Sequence, residues 1–283
     1  MNNRIHTEPD DFIMFPTVDV CFAGLMENPI VRKGFCAAIL RISPDIIDVT
    51  ELLPTHLPRN YADDKLGILD VRIKLLDGIQ INMEMQVKYF GFWDERALFY
   101  ISKMYSEQLK TGESYENLKK CIHVSILDFI LFPEDNQCYR TIHFRDDKTN
   151  LLYSDKLELQ ILELKKLPKG IKTGNDIVNW MLFLNGKKRE EFERMAKTNI
   201  YLDEAYEALQ KLSADEAKRI EYEAREKALK DYNTQISSSK KQGIQTGIQL
   251  ARKVFQLHLQ NKTAEEIAAE CNISPEEVYD ILP

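Results

Sequence analysis

The 283-residue chain has no surplus of positive charge: 38 Lys and Arg stand against 45 Asp and Glu, for a formal charge of -7. A field of that sign disfavours nonspecific wrapping on a polyanion, so a nucleic-acid partner requires a local basic patch. Cysteine is scarce and scattered. Cys21, Cys36, Cys121, Cys138 and Cys271 contain no C-x-x-C pair, and an odd number cannot all pair within one chain. That pattern disfavours a zinc or dithiol redox centre and predicts buried thiols in a reducing cytoplasm. No stretch reaches the roughly 20 apolar residues of a membrane span, and Met1-Asn2-Asn3-Arg4-Ile5-His6 has no apolar signal core, so the reading is cytoplasmic with no membrane partner. The histidines (His6, His56, His123, His143, His258) show neither H-x-x-x-H nor H-E-x-x-H spacing. The motifs G-x-S-x-G and G-x-x-x-x-G-K-[ST] are absent as well, and zinc-hydrolase, serine-hydrolase and P-loop NTPase readings lose their main support.

With 44% hydrophobic and 29% charged residues, the chain can bury a core, which excludes collagenous, low-complexity and wholly disordered proteins. Three zones follow one another. Residues 1–185 mix alternating and helical patterns and hold most of the prolines and aromatics; they read as an α/β domain. Residues 186–242 are rich in charge. Glu207/Lys211, Glu221/Arg225, Glu223/Lys227 and Glu226/Lys230 each place Glu four residues before a base, the order that supports solvated helices. This zone reads as a charged helical extension with a linker or helix break at Ser237-Ser238-Ser239-Lys240-Lys241. Residues 243–283 read as C-terminal helices, too polar around Gly243 and Gly247 for a membrane dimer motif.

The most informative stretch runs from Leu66 to Lys88, where two alternating runs flank Asp77-Gly78, a hairpin-turn dipeptide. Leu69, Val71, Ile73 and Leu75 fall on one face of the first strand, and Asp70, Arg72 and Lys74 on the other. The second strand sorts Ile79, Ile81, Met83, Met85 and Val87 from Gln80, Asn82, Glu84, Gln86 and Lys88. A two-residue turn would set even positions opposite odd ones and mix the faces. A three-residue loop, Leu76-Asp77-Gly78 with Gly left-handed, instead sets Leu75 opposite Ile79 and therefore Asp70 opposite Glu84. Their Cβ atoms would then lie about 4.5–5.5 Å apart. Two carboxylates this close repel unless a cation lies between them, and oxygen ligands suit Mg²⁺ or Mn²⁺. The competing reading is a solvent-facing hairpin whose acids are balanced by Arg72, Lys74 and Lys88.

Asp94 to Leu109 reads as a helix with Leu98, Ile101, Met104 and Tyr105 as its buried stripe. Arg96, Tyr100 and Lys103 adjoin at three- and four-residue steps. Arg96 offers a planar fork to phosphate oxygens, and Tyr100 packs or orients its neighbour. Cys121 to Phe132 fits a buried central strand with His123 as a satisfied polar side chain. Tyr139 to Phe144 and Leu157 to Leu164 give further strands, with Glu158 and Glu163 as surface or rim acids.

The runs Asp64-Lys65-Leu66-Gly67-Ile68-Leu69-Asp70-Val71, Ile81-Asn82-Met83-Glu84-Met85-Gln86 and Arg96-Ala97-Leu98-Phe99-Tyr100 together resemble the PD-(D/E)XK nuclease family transposases, or recombination-promoting nucleases. Thr17-Val18-Asp19-Val20-Cys21-Phe22, the run from Leu109 to Tyr115 and the run from Leu157 to Lys165 extend the likeness over roughly residues 10 to 170. The resemblance implies a restriction-endonuclease-like α/β core, a mixed central sheet flanked by helices, followed by the helical extension. It also implies a Mg²⁺- or Mn²⁺-dependent DNA endonuclease linked to recombination or mobile elements. Asp70 and Glu84 would hold the metal, with the Met85 carbonyl, so that the scissile phosphate is polarised and water activated. Gln86 stands where the superfamily has Lys; it brings hydrogen bonds but no charge. Lys88 is the electrostatic substitute on the same face, and Lys65 holds a phosphate or is an ordinary loop lysine. Ala23 follows Phe22 where the pattern has Lys, and Asp19 supports the metal site, caps its helix or forms a salt bridge. The acidic charge, Gln86 and Ala23 also fit an alternative, a catalytically degenerate member acting as a DNA- or protein-binding module.

Thr263-Ala264-Glu265-Glu266 and Ser274-Pro275-Glu276-Glu277 are two capping boxes, predicting two short helices joined near Asn272. The arrangement resembles a helix-turn-helix. From Ala264 onward, however, there are six acids and no Lys or Arg. Phosphate contacts would supply most nonspecific affinity, so the charge favours homo-oligomerisation or protein docking.

Overall fold

The computed structural model describes residues 12–57, 69–89, 91–168 and 176–282. Its first unit, residues 1–223, is built on six strands: β1 (Thr50–Leu53), β2 (Val71–Leu75), β3 (Gln80–Gln86), β4 (Cys121–Leu127), β5 (Tyr139–Arg145) and β6 (Leu152–Glu163). They lie in the order β1-β2-β3-β4-β6-β5. The hairpins β1-β2 and β2-β3 are antiparallel, β3, β4 and β6 run parallel, and β5 closes the far edge antiparallel. Six helices belong to this unit: α1 (Asp19–Glu27), α2 (Pro29–Leu40), α3 (Trp93–Ser106), α4 (Asp176–Leu184), α5 (Arg189–Ala196) and α6 (Ile200–Ala214).

One sheet face presents Ile73, Ile81, Met83, Ile122, Val124 and Leu162 to the main core, which α1, α2, α4, α5 and α6 complete. The other face meets α3. Tyr100, Ile101 and Met104 pack there on Cys121, and Trp93 packs on Leu127 and Ile161. Both faces being covered, β3 and β4 are buried along their length except for the half-buried Gln86 at the end of β3.

The first unit reaches Glu223 because the charged zone is amphipathic. Leu202, Ala205, Tyr206 and Leu209 are spaced for one helical face and enter the core from α6. The α2–α6 approach is close at Gly34, where a Cβ would stand 2.4 Å from that of Tyr201. Buried Arg32 joins α2 to β1. Its guanidinium donates to the Thr50 hydroxyl at 2.8 Å, the Thr50 carbonyl at 3.0 Å and the Met26 carbonyl at 2.7 Å.

The second unit, residues 224–283, holds most of α7 (Glu216–Leu259), then α8 (Ala264–Cys271) and α9 (Pro275–Ile281). The break expected at Ser237–Lys241 does not form. Nothing in that stretch stops a helix, and Gly243 and Gly247 cost only about 1 kcal/mol each in its interior. Both capping boxes form as expected, and Asn272 turns the chain between the helices in the left-handed conformation, φ 56°. Val254, Leu257, Ile267, Ala268 and Val278 make a small core of their own. Cys21, Cys36 and Cys121 are buried free thiols, and Cys138 and Cys271 are half-buried. Among the described residues no helix is long and apolar enough to cross a membrane.

Candidate active site

The hairpin register is the one the sequence predicts. Gly78 takes φ +91°, its N–H donates to the Leu75 carbonyl at 2.9 Å, and Leu75 N–H donates to the Ile79 carbonyl at 2.9 Å. Val71 pairs with Met83 and Ile73 with Ile81, and one further step of this register sets Asp70 opposite Glu84. Asp70 lies just before β2, where its Oδ2 accepts the Met85 N–H at 2.9 Å. The Met85 side chain itself points into the main core.

Around the acids the even face is closed to solvent, with Lys74 near the turn left exposed, which overturns the solvent-facing reading of the hairpin. Arg72, Gln80, Asn82 and Glu84 are all buried, because α3 and the flanking strands roof this face. Arg72 does not balance the acid pair either. It bonds to Gln80 Oε1 at 2.7 Å and forms an ion pair with Glu107 after α3.

Glu84 is completely buried, yet neither carboxylate oxygen has a hydrogen-bond partner. Arg96 Nη2 stands 3.5 Å from Oε1. Burial pushes the Glu84 carboxyl up to about 7; the Arg96 charge opposes the rise, and the neighbouring Asp70 charge adds to it. Glu163, equally buried on the same face, shows what satisfaction looks like. Its Oε1 accepts the N–H groups of Leu131 at 2.7 Å and Phe132 at 3.1 Å, and Oε2 accepts from Lys166 Nζ at 2.9 Å. Glu163 and Glu158 are therefore not the surface or rim acids their sequence positions suggest. Glu158 is buried against Lys120 Nζ at 2.6 Å and His143 Nε2 at 2.9 Å, which hold its carboxyl below the usual range despite the burial that raises it.

Helix α3 supplies the wall of the site. Its buried stripe is Trp93, Ala97, Tyr100, Ile101 and Met104, while Leu98 is exposed and Tyr105 only half-buried. The stripe is rotated from the expected one because it begins at Trp93. Arg96 lies 5.1 Å from the Tyr100 ring centroid and 5.9 Å from that of Trp93, so Tyr100 both packs and orients its neighbour. Beneath them His123 Nδ1 accepts from Asn82 Nδ2 at 2.8 Å, which fixes a neutral imidazole, and burial lowers its pKa to about 3. Only one ring nitrogen is satisfied, since Nε2 is buried without a partner.

The remaining predicted residues are placed less centrally. Gln86 shares the Glu84 face at the open end of β3. Lys88 falls in a bend past the end of β3, so strand alternation does not put it on that face. Lys65 lies outside the described residues. Asp19 opens α1, where its Oδ1 accepts the Val20 N–H at 2.9 Å. Glu107 was legible as the continuation of the Trp93–Tyr100–Met104 stripe, whereas the Asn82–His123 contact joins distant segments and had no local signal.

The donor set fits a hard divalent cation. Two carboxylates face each other, one with both oxygens buried and unpartnered, and such ions take oxygen ligands. Among the described residues no group of three His, Cys, Asp or Glu forms. A pair of carboxylates with waters and substrate phosphates is a common way to hold a divalent cation.

In comparison with known proteins, a family model described as PD-(D/E)XK nuclease family transposase matches residues 20–239. No curated protein and no solved structure matches. The matched span contains the whole sheet, Asp70, Glu84 and α3, and ends before α8 and α9.

Proposed function

The chain belongs to the PD-(D/E)XK nuclease family transposases, and from that premise we propose that it is a Mg²⁺- or Mn²⁺-dependent DNA endonuclease acting in recombination or mobile-element movement. The observation that carries this reading is Glu84, a buried carboxylate left without hydrogen bonds beside a second carboxylate. A buried charge of this kind is expensive unless a counter-ion completes it. Asp70 and Glu84, with the Met85 carbonyl, would hold the cation. When bound, it supplies Lewis acidity to the phosphodiester.

The protein's own groups supply orientation and charge. The Met85 N–H fixes the Asp70 carboxylate, so its second oxygen is aimed by the backbone rather than by a flexible contact. Gln86, at the mouth of the site, offers both a donor and an acceptor to position the attacking water. Arg96, held by the Tyr100 ring, presents a fork that matches two phosphate oxygens. Lys88 lies past the end of β3 and is given no part in the step. The degenerate reading, a binding module without cleavage, gains from the neutral Gln86 and loses at Glu84, because a site freed from metal binding has no reason to bury an acid that lacks hydrogen bonds and has only Arg96, at 3.5 Å, to offset it.

The test is cleavage of supercoiled plasmid with Mg²⁺ or Mn²⁺, with Asp70→Ala purified identically beside the wild type. Nicking by the wild type alone is expected. Equal activity of the variant removes the site assignment, and inactivity of the wild type together with no Mn²⁺ uptake in calorimetry removes the nuclease reading.

A further inference from the structure

We propose that Lys165 and Lys187 form a phosphate-binding rim for the DNA strand beside the Asp70–Glu84 centre. The inference rests on the nuclease reading and adds the basic patch that an acidic chain needs to hold a polyanion.

The parallel strands β3 and β4 end together: the Asp128 N–H, one residue past β4, donates to the Gln86 carbonyl at 2.8 Å. The Asp128 carboxylate is thus one strand away from the mouth of the site. Lys165, two residues past the end of β6, reaches it with Nζ 2.8 Å from Oδ1 and remains half exposed, with 52% of its side chain accessible. Lys187 reaches the same carboxylate's neighbourhood from the loop after α4. Its ammonium donates to the buried Thr17 hydroxyl at 2.9 Å and lies 4.8 Å from the Phe15 ring centroid. Burial against these groups lowers the Lys187 pKa; Asp128 raises it, Lys165 lowers it, and Glu191 raises it.

The charges around this point do not cancel. Glu191 is occupied by the start of α5, where its Oε2 accepts the N–H groups of Lys187 at 2.7 Å and Lys188 at 3.1 Å. Asp128 is then the carboxylate left to two ammonium groups. Two cations held near one anion, beside the ends of parallel strands, make a positive patch that favours a further anion. In a nuclease the anion available there is a phosphate of the bound strand. Arg96 reaches the site from α3, and these lysines approach from β6 and the α4–α5 loop, so the scissile phosphate and its neighbour are gripped by separate elements.

Binding of a short fluorescent DNA duplex in EDTA tests this without requiring cleavage, with affinity measured against salt. For Lys165→Gln/Lys187→Gln the logarithmic salt slope is expected to become shallower by about 1–2, near 0.9 per lost phosphate contact. Affinity should fall on the order of tenfold, with the loss in cleavage appearing in KM more than in kcat. An unchanged slope in a variant that melts like the wild type overturns the proposal. If the double variant unfolds, Lys165→Gln alone decides: a slope shallower by about 0.9 supports the rim and an unchanged slope rejects it. Failure of the wild type to cleave, with the slope still dependent on these lysines, would reject the nuclease reading and keep the DNA rim.

Discussion

Replacing Glu84 by Gln should stabilise the metal-free protein while abolishing cleavage. Glu84 is fully buried, its oxygens lack hydrogen bonds, and burial raises its pKa from an ordinary 4.5 to about 7, with Arg96 opposing and Asp70 reinforcing the rise. In the unfolded chain the same group loses its proton near 4.5. Between these values the folded protein binds more protons than the unfolded one, so stability falls as pH rises through that window, and the full penalty is present above pH 7. At about 1.4 kcal/mol per tenfold change in proton affinity, the penalty is roughly 3 kcal/mol. Gln removes the charge but leaves an amide with imperfect partners, costing about 1–2 kcal/mol. The variant should therefore exceed the wild type by about 1–2 kcal/mol at pH 8 in EDTA, and the advantage should vanish near pH 5. Urea unfolding at the two pH values measures this. Mg²⁺ at a hundred times its Kd should then return about 2.7 kcal/mol to the wild type and nothing to the variant. A variant less stable than the wild type at both pH values would refute the reasoning, since Glu84 would then be paired without metal.

Two further outcomes test the scaffold. Glu163→Ala should cost about 2–3 kcal/mol in urea unfolding, because it leaves the N–H groups of Leu131 and Phe132 without their acceptor while Lys166 keeps Asp135 and the Phe132 carbonyl; a loss below 1 kcal/mol would show that these donors find other acceptors. Gly34→Ala should lower stability by about 1–3 kcal/mol although Ala is the better helix former, because the new Cβ meets Tyr201; a rise in Tm would mean that α2 and α6 separate freely.

The hairpin was readable because register is arithmetic. Once the odd positions must share a face, the loop length follows, and with it the β2–β3 register that one step further sets Asp70 opposite Glu84. What could not be read was the environment of the polar face. Asn82, Glu84 and Arg72 look like solvent-facing residues of an alternating strand, since alternation reports two unlike faces without saying what lies over the polar one. Helix α3 closes it, and the stripe expected from Leu98 was displaced because Trp93, which starts the helix, was left out of the period. Glu163 failed for a related reason. A charged residue at a strand end reads as rim, and the backbone N–H groups that hold it come from a loop more than thirty residues earlier. The charged zone after Gly186 hid the apolar period of α6 behind its glutamates and lysines.

Under the proposed nuclease function, the placement of positive charge bears on what compensates for Gln86 in the superfamily's lysine position. A lysine there would project from the same face as Glu84, two residues along the strand, and bring the positive charge that Gln86 lacks. Arg96 brings such a charge from a different element. It approaches from α3 at 3.5 Å from Glu84, braced by Tyr100, and its guanidinium is still partly exposed. Such a group serves two states: it offsets the Glu84 charge while the site is empty, and its fork is available to phosphate oxygens once that charge is compensated. Lysine at position 96 would supply the charge without the paired donors or the stacking on Tyr100, so the exchange depends on the shape of the guanidinium and on the ring beneath it.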